Sequence, residues 1–267
     1  MATALITGGT SGIGAEFARA YARRGYNLVL VARDSERLAA MAVELSNASV
    51  DSISVEVISA DLAKRADVDR VAARLDDASK PIDILVNNAG FGMHISLLSR
   101  DLATMDRAFE VMVRAVLVLG GAAARGMKAR GHGSIVNVGS TAGYITMGAY
   151  SAIKAWVMSY SEGLSVELRG SGVTATALAP GWVHTEFHSR AGIRKSSVPD
   201  FLWLQAPKLV ESAVRDAAKG KVISLPSLRY KALIWLARHI PRSTNRWVSR
   251  KISSSRAEAQ AESVGAL

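Results

Sequence analysis

The chain contains no cysteine, which excludes disulfides, thiolate nucleophiles and cysteine-held metals. It has no uninterrupted apolar run long enough to span a bilayer. The best stretch, 111–124, is broken by Arg114 and contains Gly120 and Gly121. No basic leader precedes the first apolar run, which begins directly after Met1, so no targeting peptide is expected and a soluble, cytoplasmic chain is. The five histidines form no metal-like cluster: His184 and His188 are four apart but follow a Pro-Gly turn without supporting carboxylates, and no metal is expected. Internal repeats and a linker separating two domains are also missing.

What is present is a chain of 267 residues, 49% hydrophobic, enough for one large α/β domain. Strand-like and helix-like segments alternate through its first two-thirds. Apolar runs at 2–7, 27–32, 54–59, 82–87, 134–138 and 174–178 read as strands. Helical spacing covers 13–24, 35–45, 64–78, 102–129 (as one long helix) and 150–168. Pro207 opens a later helix that Gly220 closes, and 221–225 reads as a last strand. Strands apolar on both faces and separated by helices predict a doubly wound parallel sheet covered on both sides. The net charge of +10 is uneven. Fourteen Lys/Arg and three acids lie in 190–251, which puts that stretch near +11 and the remainder near −1.

After the first strand comes Thr7-Gly8-Gly9-Thr10-Ser11-Gly12-Ile13-Gly14. Gly8 permits a tight strand-to-helix turn. Gly12 and Gly14 allow a pyrophosphate to approach the backbone, where free N–H groups at the helix N-terminus meet its charge. The tip of the second strand, Ala32-Arg33-Asp34, lacks an acid at its first position. Arg33 offers a planar fork for a ribose 2′-phosphate, so NADP(H) is expected over NAD(H), with Asp34 as the counter-signal. Tyr150 and Lys154, four apart on a helix, share one face.

With TGGTSGIG, NNAG at 87–90, Gly139-Ser140, YSAIK at 150–154 and PGWVHT at 180–185 in this order, the chain resembles the short-chain dehydrogenases/reductases over roughly residues 2–225. The resemblance implies a single Rossmann-type domain with a seven-stranded parallel sheet, a homodimer or homotetramer, and nicotinamide-dependent hydride transfer. It assigns Ser140, Tyr150 and Lys154 to catalysis. Tyr150 acts as acid and base, its pKa brought down from ~10 by a nearby ammonium and by the oxidised nicotinamide. Ser140 donates to the substrate oxygen, and Lys154 also holds the nicotinamide ribose. For the cofactor it implies Thr7, Gly8, Thr10, Ser11, Gly12, Ile13, Gly14, Arg33, Asp61, Leu62, Asn87, Ala89, Gly90, Tyr150, Lys154, Pro180, Gly181, Val183 and Thr185.

Two features depart from the family pattern. Many relatives carry an asparagine in the long helix, holding a water in the proton path; Met112 stands there instead, and no asparagine lies between Asn88 and Asn137. Ser140 and Tyr150 are also only ten apart, which shortens the loop 141–149. Tyr144, Ile145 and Met147 then either contact substrate or simply pack. A variable lid is placed at about 186–206, with Phe187, Ile193, Phe201, Leu202, Trp203 and Leu204. Together with Phe91, Met93, Tyr144 and Trp182 it lines an apolar pocket for a bulky carbonyl or alcohol of lipid, steroid or terpenoid type, or else packs the lid down.

The expected layout is a domain over 1–226, a basic amphipathic segment at 227–251 and a disordered tail at 252–267. The segment 228–251 reads either as packing on the domain or a second subunit, or as contact with an anionic membrane surface that would make the chain membrane-peripheral. Nothing supports nucleic-acid binding. Two functions remain: an NADP(H)-dependent oxidoreductase, and a weakly or non-catalytic NADP-binding sensor or scaffold, for which Met112 is the sole support.

Overall fold

The computed structural model describes residues 1–48, 52–93, 95–185, 199–241, 243–244 and 246. Most of the expected lid and all of the tail at 252–267 lie outside the described residues.

Seven strands form one parallel sheet: β1 (Thr3–Thr7), β2 (Asn27–Ala32), β3 (Val55–Ser59), β4 (Ile84–Asn87), β5 (Gly133–Val138), β6 (Val173–Leu178) and β7 (Ile223–Ser224). Their order across the sheet is β3-β2-β1-β4-β5-β6-β7, the Rossmann-type arrangement expected. Strand periodicity explains the two-sided burial. In β1, Ala4 and Ile6 point to one face and Leu5 to the other, and all three are fully buried. Leu28 and Leu30 of β2 join the first face, and Val29 and Val31 the second. The exception is the edge strand β3, whose Glu56 stays exposed and pairs with Arg74 at 2.9 Å.

One face is covered by α1 (Gly12–Ala22), α2 (Ser35–Ala48) and α7 (Ala206–Ala218), the other by α3 (Arg65–Asp76), α4 (Ala103–Phe109), α5 (Ala115–Arg130) and α6 (Gly148–Glu167). A final helix, α8 (Leu228–His239), follows β7. The long helix expected at 102–129 is present with a modification. α4 and α5 are joined by a π-helical turn, Glu110–Arg114, and the residues on either side keep helical backbone angles. Insertions of this kind locally re-aim side chains and often sit at functional sites. Met112 lies within it.

The strand order reverses between β1 and β4, where the connections leave toward opposite faces. The crevice outside the carboxyl ends of these strands is where an open α/β sheet binds its ligand.

Candidate active site

The glycine turn closes on that crevice. Gly8 and Gly12 have φ of 67° and 55°, a region that disfavours side chains. A Cβ at Gly14 would collide with the Gly8 carbonyl and the Asn88 side chain, so turn and helix approach as closely as they do only with glycine there. Thr7 and Asn88 tie the turn to the end of β4. The Thr7 hydroxyl accepts from the Asn88 and Ala89 amides at 2.9 and 3.0 Å, and Asn88 Nδ2 donates to the Thr7 carbonyl at 2.9 Å. Ser11, which precedes α1, makes no side-chain cap, so no side chain of its own occupies the helix N-terminus.

Along the crevice runs a cleft of about 940 Å³. Of the residues expected to hold cofactor, Gly8, Thr10, Ser11, Gly12, Ile13, Arg33, Asp61, Leu62, Ala89, Gly90, Pro180, Gly181, Val183 and Thr185 line it, as do Ser140, Tyr150 and Lys154. Phe91, Met93, Ile145, Met147 and Trp182 line it as well. Thr7, Gly14, Asn87 and Tyr144 do not. Thr7 and Gly14 shape the turn from behind. Asn87 is buried and donates to Asn137 Oδ1 at 2.9 Å, and Asn137 Nδ2 donates in turn to Ser161 at 3.0 Å, a polar chain beneath the site. Tyr144 packs under the Arg238 guanidinium, 5.9 Å from the ring centroid.

Asp34 lines the cleft as well, with its Oδ2 3.6 Å from Arg37 Nε. Its Oδ1 accepts from the Glu36 and Arg37 amides at 3.1 and 3.0 Å, capping α2. Arg33 and Arg37 both line the adjoining cleft wall. Asp61 also lines it, but its carboxylate receives Arg107 from α4 at 2.8 and 3.0 Å. The Ala63 amide and Arg107 together hold Asp61 below the usual carboxylate range, against the opposing effect of desolvation. Glycine turn, helix start and the Arg33 and Arg37 guanidiniums along one cleft make a donor set that fits a phosphate-bearing dinucleotide. Asn88, Arg37 and Arg107 were not singled out by sequence. Asn88 sits inside the NNAG motif, yet spacing does not say which asparagine turns toward the glycine loop. Arg37 and Arg107 carry no motif.

At the other end, Ser140 closes β5. Its Oγ accepts from the Ala142 amide at 3.1 Å and so caps the short 3₁₀ turn Thr141–Tyr144. Tyr150 and Lys154 come from the first turns of α6, with Lys154 Nζ 5.8 Å from the Tyr150 ring centroid. Lys154 is buried and donates to the Val138 carbonyl at 2.8 Å. Burial pushes its pKa down to about 8. Burial also pushes the Tyr150 phenol well above its ordinary value, while a hydrogen bond with Ser140 pulls the other way. Burial, more than any neighbouring charge, sets the direction of the Tyr150 shift, so the phenol keeps its proton at neutral pH. Ser151, next to Tyr150, lines the cleft with its buried hydroxyl unsatisfied by protein. Met112 does not reach the cleft; it is 1% exposed, and its Sδ lies over Gly90.

The Trp182 end of the cleft is backed by three segments. Val183 bridges Leu204, with Leu204 N donating to the Trp182 carbonyl at 2.8 Å and His184 N to the Leu204 carbonyl at 3.0 Å. Trp203 packs on Trp182 at 5.9 Å and on His184 at 4.7 Å. Tyr230 of α8 completes the wall: its hydroxyl accepts from Trp182 N at 3.0 Å and donates to the Leu202 carbonyl at 2.8 Å. Its ring lies so close to Gly181 that any side chain there would overlap it. Among the described residues, no three His, Asp or Glu side chains gather as a metal site requires.

The family model for short chain dehydrogenase matches residues 2–195. Galactitol 2-dehydrogenase (L-tagatose-forming) of Cereibacter sphaeroides is 37% identical over 190 residues, covering 69% of this chain and 72% of that protein. A short-chain dehydrogenase from Sphingobium yanoikuyae, solved in complex with NADPH, superposes with a TM-score of 0.79 at 34% identity over 98% of this chain and 96% of that one. The bulky-bulky ketone specific alcohol dehydrogenase from Comamonas testosteroni superposes at 0.75 with 32% identity over 98% and 94%.

Proposed function

The chain belongs to the short-chain dehydrogenase family and is an oxidoreductase; from that premise we propose that it interconverts a bulky apolar carbonyl and its alcohol with NADP(H), Tyr150 serving as acid and base. The observation that carries this reading is the meeting of Ser140, Tyr150 and Lys154 at one end of the cleft whose other end presents the glycine turn and Arg33.

When bound, NADPH supplies the hydride that reaches the carbonyl carbon. Tyr150 gives its phenolic proton to the carbonyl oxygen as negative charge develops there. Ser140 donates a hydrogen bond to the same oxygen. The Lys154 ammonium stabilises the phenolate left behind, held in place by the Val138 carbonyl. In the alcohol-to-ketone direction, the Tyr150 phenolate takes the hydroxyl proton.

Preference for NADP(H) is supported by the absence of an acid at Ala32, by the engagement of Asp34 with α2, and by Arg33 and Arg37 on the cleft wall. The NADPH complex of the Sphingobium relative agrees with it. The apolar lining of Phe91, Met93, Met147 and Trp182 supports a bulky substrate, as does the name of the Comamonas relative. A homodimer or homotetramer would cover Phe109 and Leu117, eight apart on the continuous α4–α5 helix, and Val166 on α6; these are 48%, 49% and 72% exposed. The chain would work in the cytoplasm. A peripheral position at a membrane belongs to the same reading, since the substrate class is lipophilic and residues 228–251 are basic.

NADPH oxidation over a panel of lipophilic ketones and aldehydes tests the reading. Tyr150→Phe should lower turnover by roughly 10²- to 10⁴-fold. Arg33→Ala should raise the KM for NADPH while leaving that for NADH unchanged. Residual turnover near the wild-type rate in Tyr150→Phe would remove Tyr150 from the chemistry. No turnover in the wild type would favour the sensor or scaffold reading.

A further inference from the structure

The outer face of α8 takes no part in the cleft. At 3.6 residues per turn, Tyr230 and Ile234 turn inward, and both are buried. Leu228, Trp235 and Leu236 turn outward and are 80%, 62% and 52% exposed. Phe201, 60% exposed, is tied to this surface by Arg229, which donates to its carbonyl at 2.6 Å. Arg229 lies within this exposed surface, between Leu236 and Leu233, which is 48% exposed, while Lys231 and Arg238 border it on the other side. Residues 217–251 contain no Asp or Glu at all.

We propose that this face docks on an anionic lipid surface. An exposed apolar surface that includes a tryptophan and is interspersed and bordered with cations matches the boundary between acyl chains and anionic headgroups. A second copy of the chain matches it less well: a two-fold contact would set Arg229, Lys231 and Arg238 of the two copies against each other, with the exposed Asp200 beside Phe201 to offset three cations per copy. Nucleic acid would meet the cations but leave Leu228, Trp235 and Leu236 unburied. Among the described residues no helix is long and apolar enough to cross a membrane, so the contact is peripheral.

The inner side of the same helix holds the cleft wall through Tyr230, and Arg238 covers Tyr144. Docking therefore places the Trp182 end of the cleft about one helix thickness, roughly 10 Å, from the lipid. A lipophilic carbonyl could enter there from the bilayer. That consequence rests on the oxidoreductase reading, whereas the docking does not.

Cosedimentation of the full chain with vesicles tests the docking without reference to turnover. Phosphatidylcholine vesicles should retain at least tenfold less protein than vesicles that also contain phosphatidylglycerol, and added salt should weaken the anionic binding. The double variant Trp235→Glu, Leu236→Glu should bind both at the neutral-vesicle level while its melting temperature stays within a few degrees of wild type. Lys231→Glu alone should reduce only the anionic binding. Equal retention on the two vesicle types, or full retention by the double variant, would overturn the proposal. It would equally be overturned if neither vesicle bound and the double substitution instead abolished self-association or retention on duplex DNA.

Discussion

Lys154, buried, and Tyr150, partly buried, are titratable neighbours on one helix, and each leaves a mark on stability. The folded pKa of Lys154, about 8, lies below the 10.5 of an unburied lysine. Between those values the unfolded chain keeps a proton that the folded protein has lost, so stability rises with pH across that window. Tyr150 behaves oppositely: its folded pKa lies above the 10.0 of a free phenol, so stability falls once the unfolded phenol ionises. The cofactor-free protein should gain stability from about pH 8 to 10 and lose it above. Lys154→Met should flatten the rise, removing a gain on the order of 2 kcal/mol. Urea titrations of both proteins at pH 7.5, 9 and 10 would measure this, and parallel curves would show that Lys154 is not the group responsible. The same burial keeps Tyr150 protonated at neutral pH, the form that reduction needs.

Elements, more than single residues, set the shape of the Trp182 end of the cleft. The Val183–Leu204 bridge leaves Trp182 N and the Leu202 carbonyl for α8 to satisfy, and Tyr230 satisfies both with one hydroxyl. Tyr230→Phe keeps the ring against Gly181 and strips both partners. The expected cost is about 1–3 kcal/mol, with the KM for the carbonyl raised several-fold and kcat changed less. An unchanged KM alongside a lower melting temperature would mean that the bridge alone positions Trp182. The π-helical turn works at the same scale. By breaking the regular ladder at Glu110–Arg114, it lets Met112 fill the space over Gly90, in the core rather than in the cleft.

At the scale of the whole molecule, the exposed apolar stripe of α4–α5 and the apolar face of α8 are two separate surfaces with different chemistry. Arg114 and Glu110 accompany Phe109 and Leu117, a mixed-charge setting that suits a second copy of the chain. Leu117→Asp should therefore lower the molar mass in light scattering toward that of a monomer of 28.3 kDa. An unchanged mass would take these helices out of the interface.

The parallel sheet was legible in the sequence because two-faced burial leaves continuous apolar runs such as 27–32, and because glycines at 8, 12 and 14 are dictated by local backbone geometry. Ser140, Tyr150 and Lys154 were legible as motifs in a fixed order. These are local signals, and a chain carries them before it folds. Which asparagine of 87–88 faces the turn, the pairing of Asp61 with Arg107, the capping of α2 by Asp34 and the clasp of Tyr230 on Trp182 all depend on groups brought together from distant parts of the chain. Asp61 and Arg107 are 46 residues apart, and Trp182 and Tyr230 are 48. No periodicity encodes such contacts. The titration of the central pair was likewise decided by tertiary structure: spacing placed Lys154 and Tyr150 on one face, but burial under the completed fold shifts Lys154 down and Tyr150 up from their ordinary values.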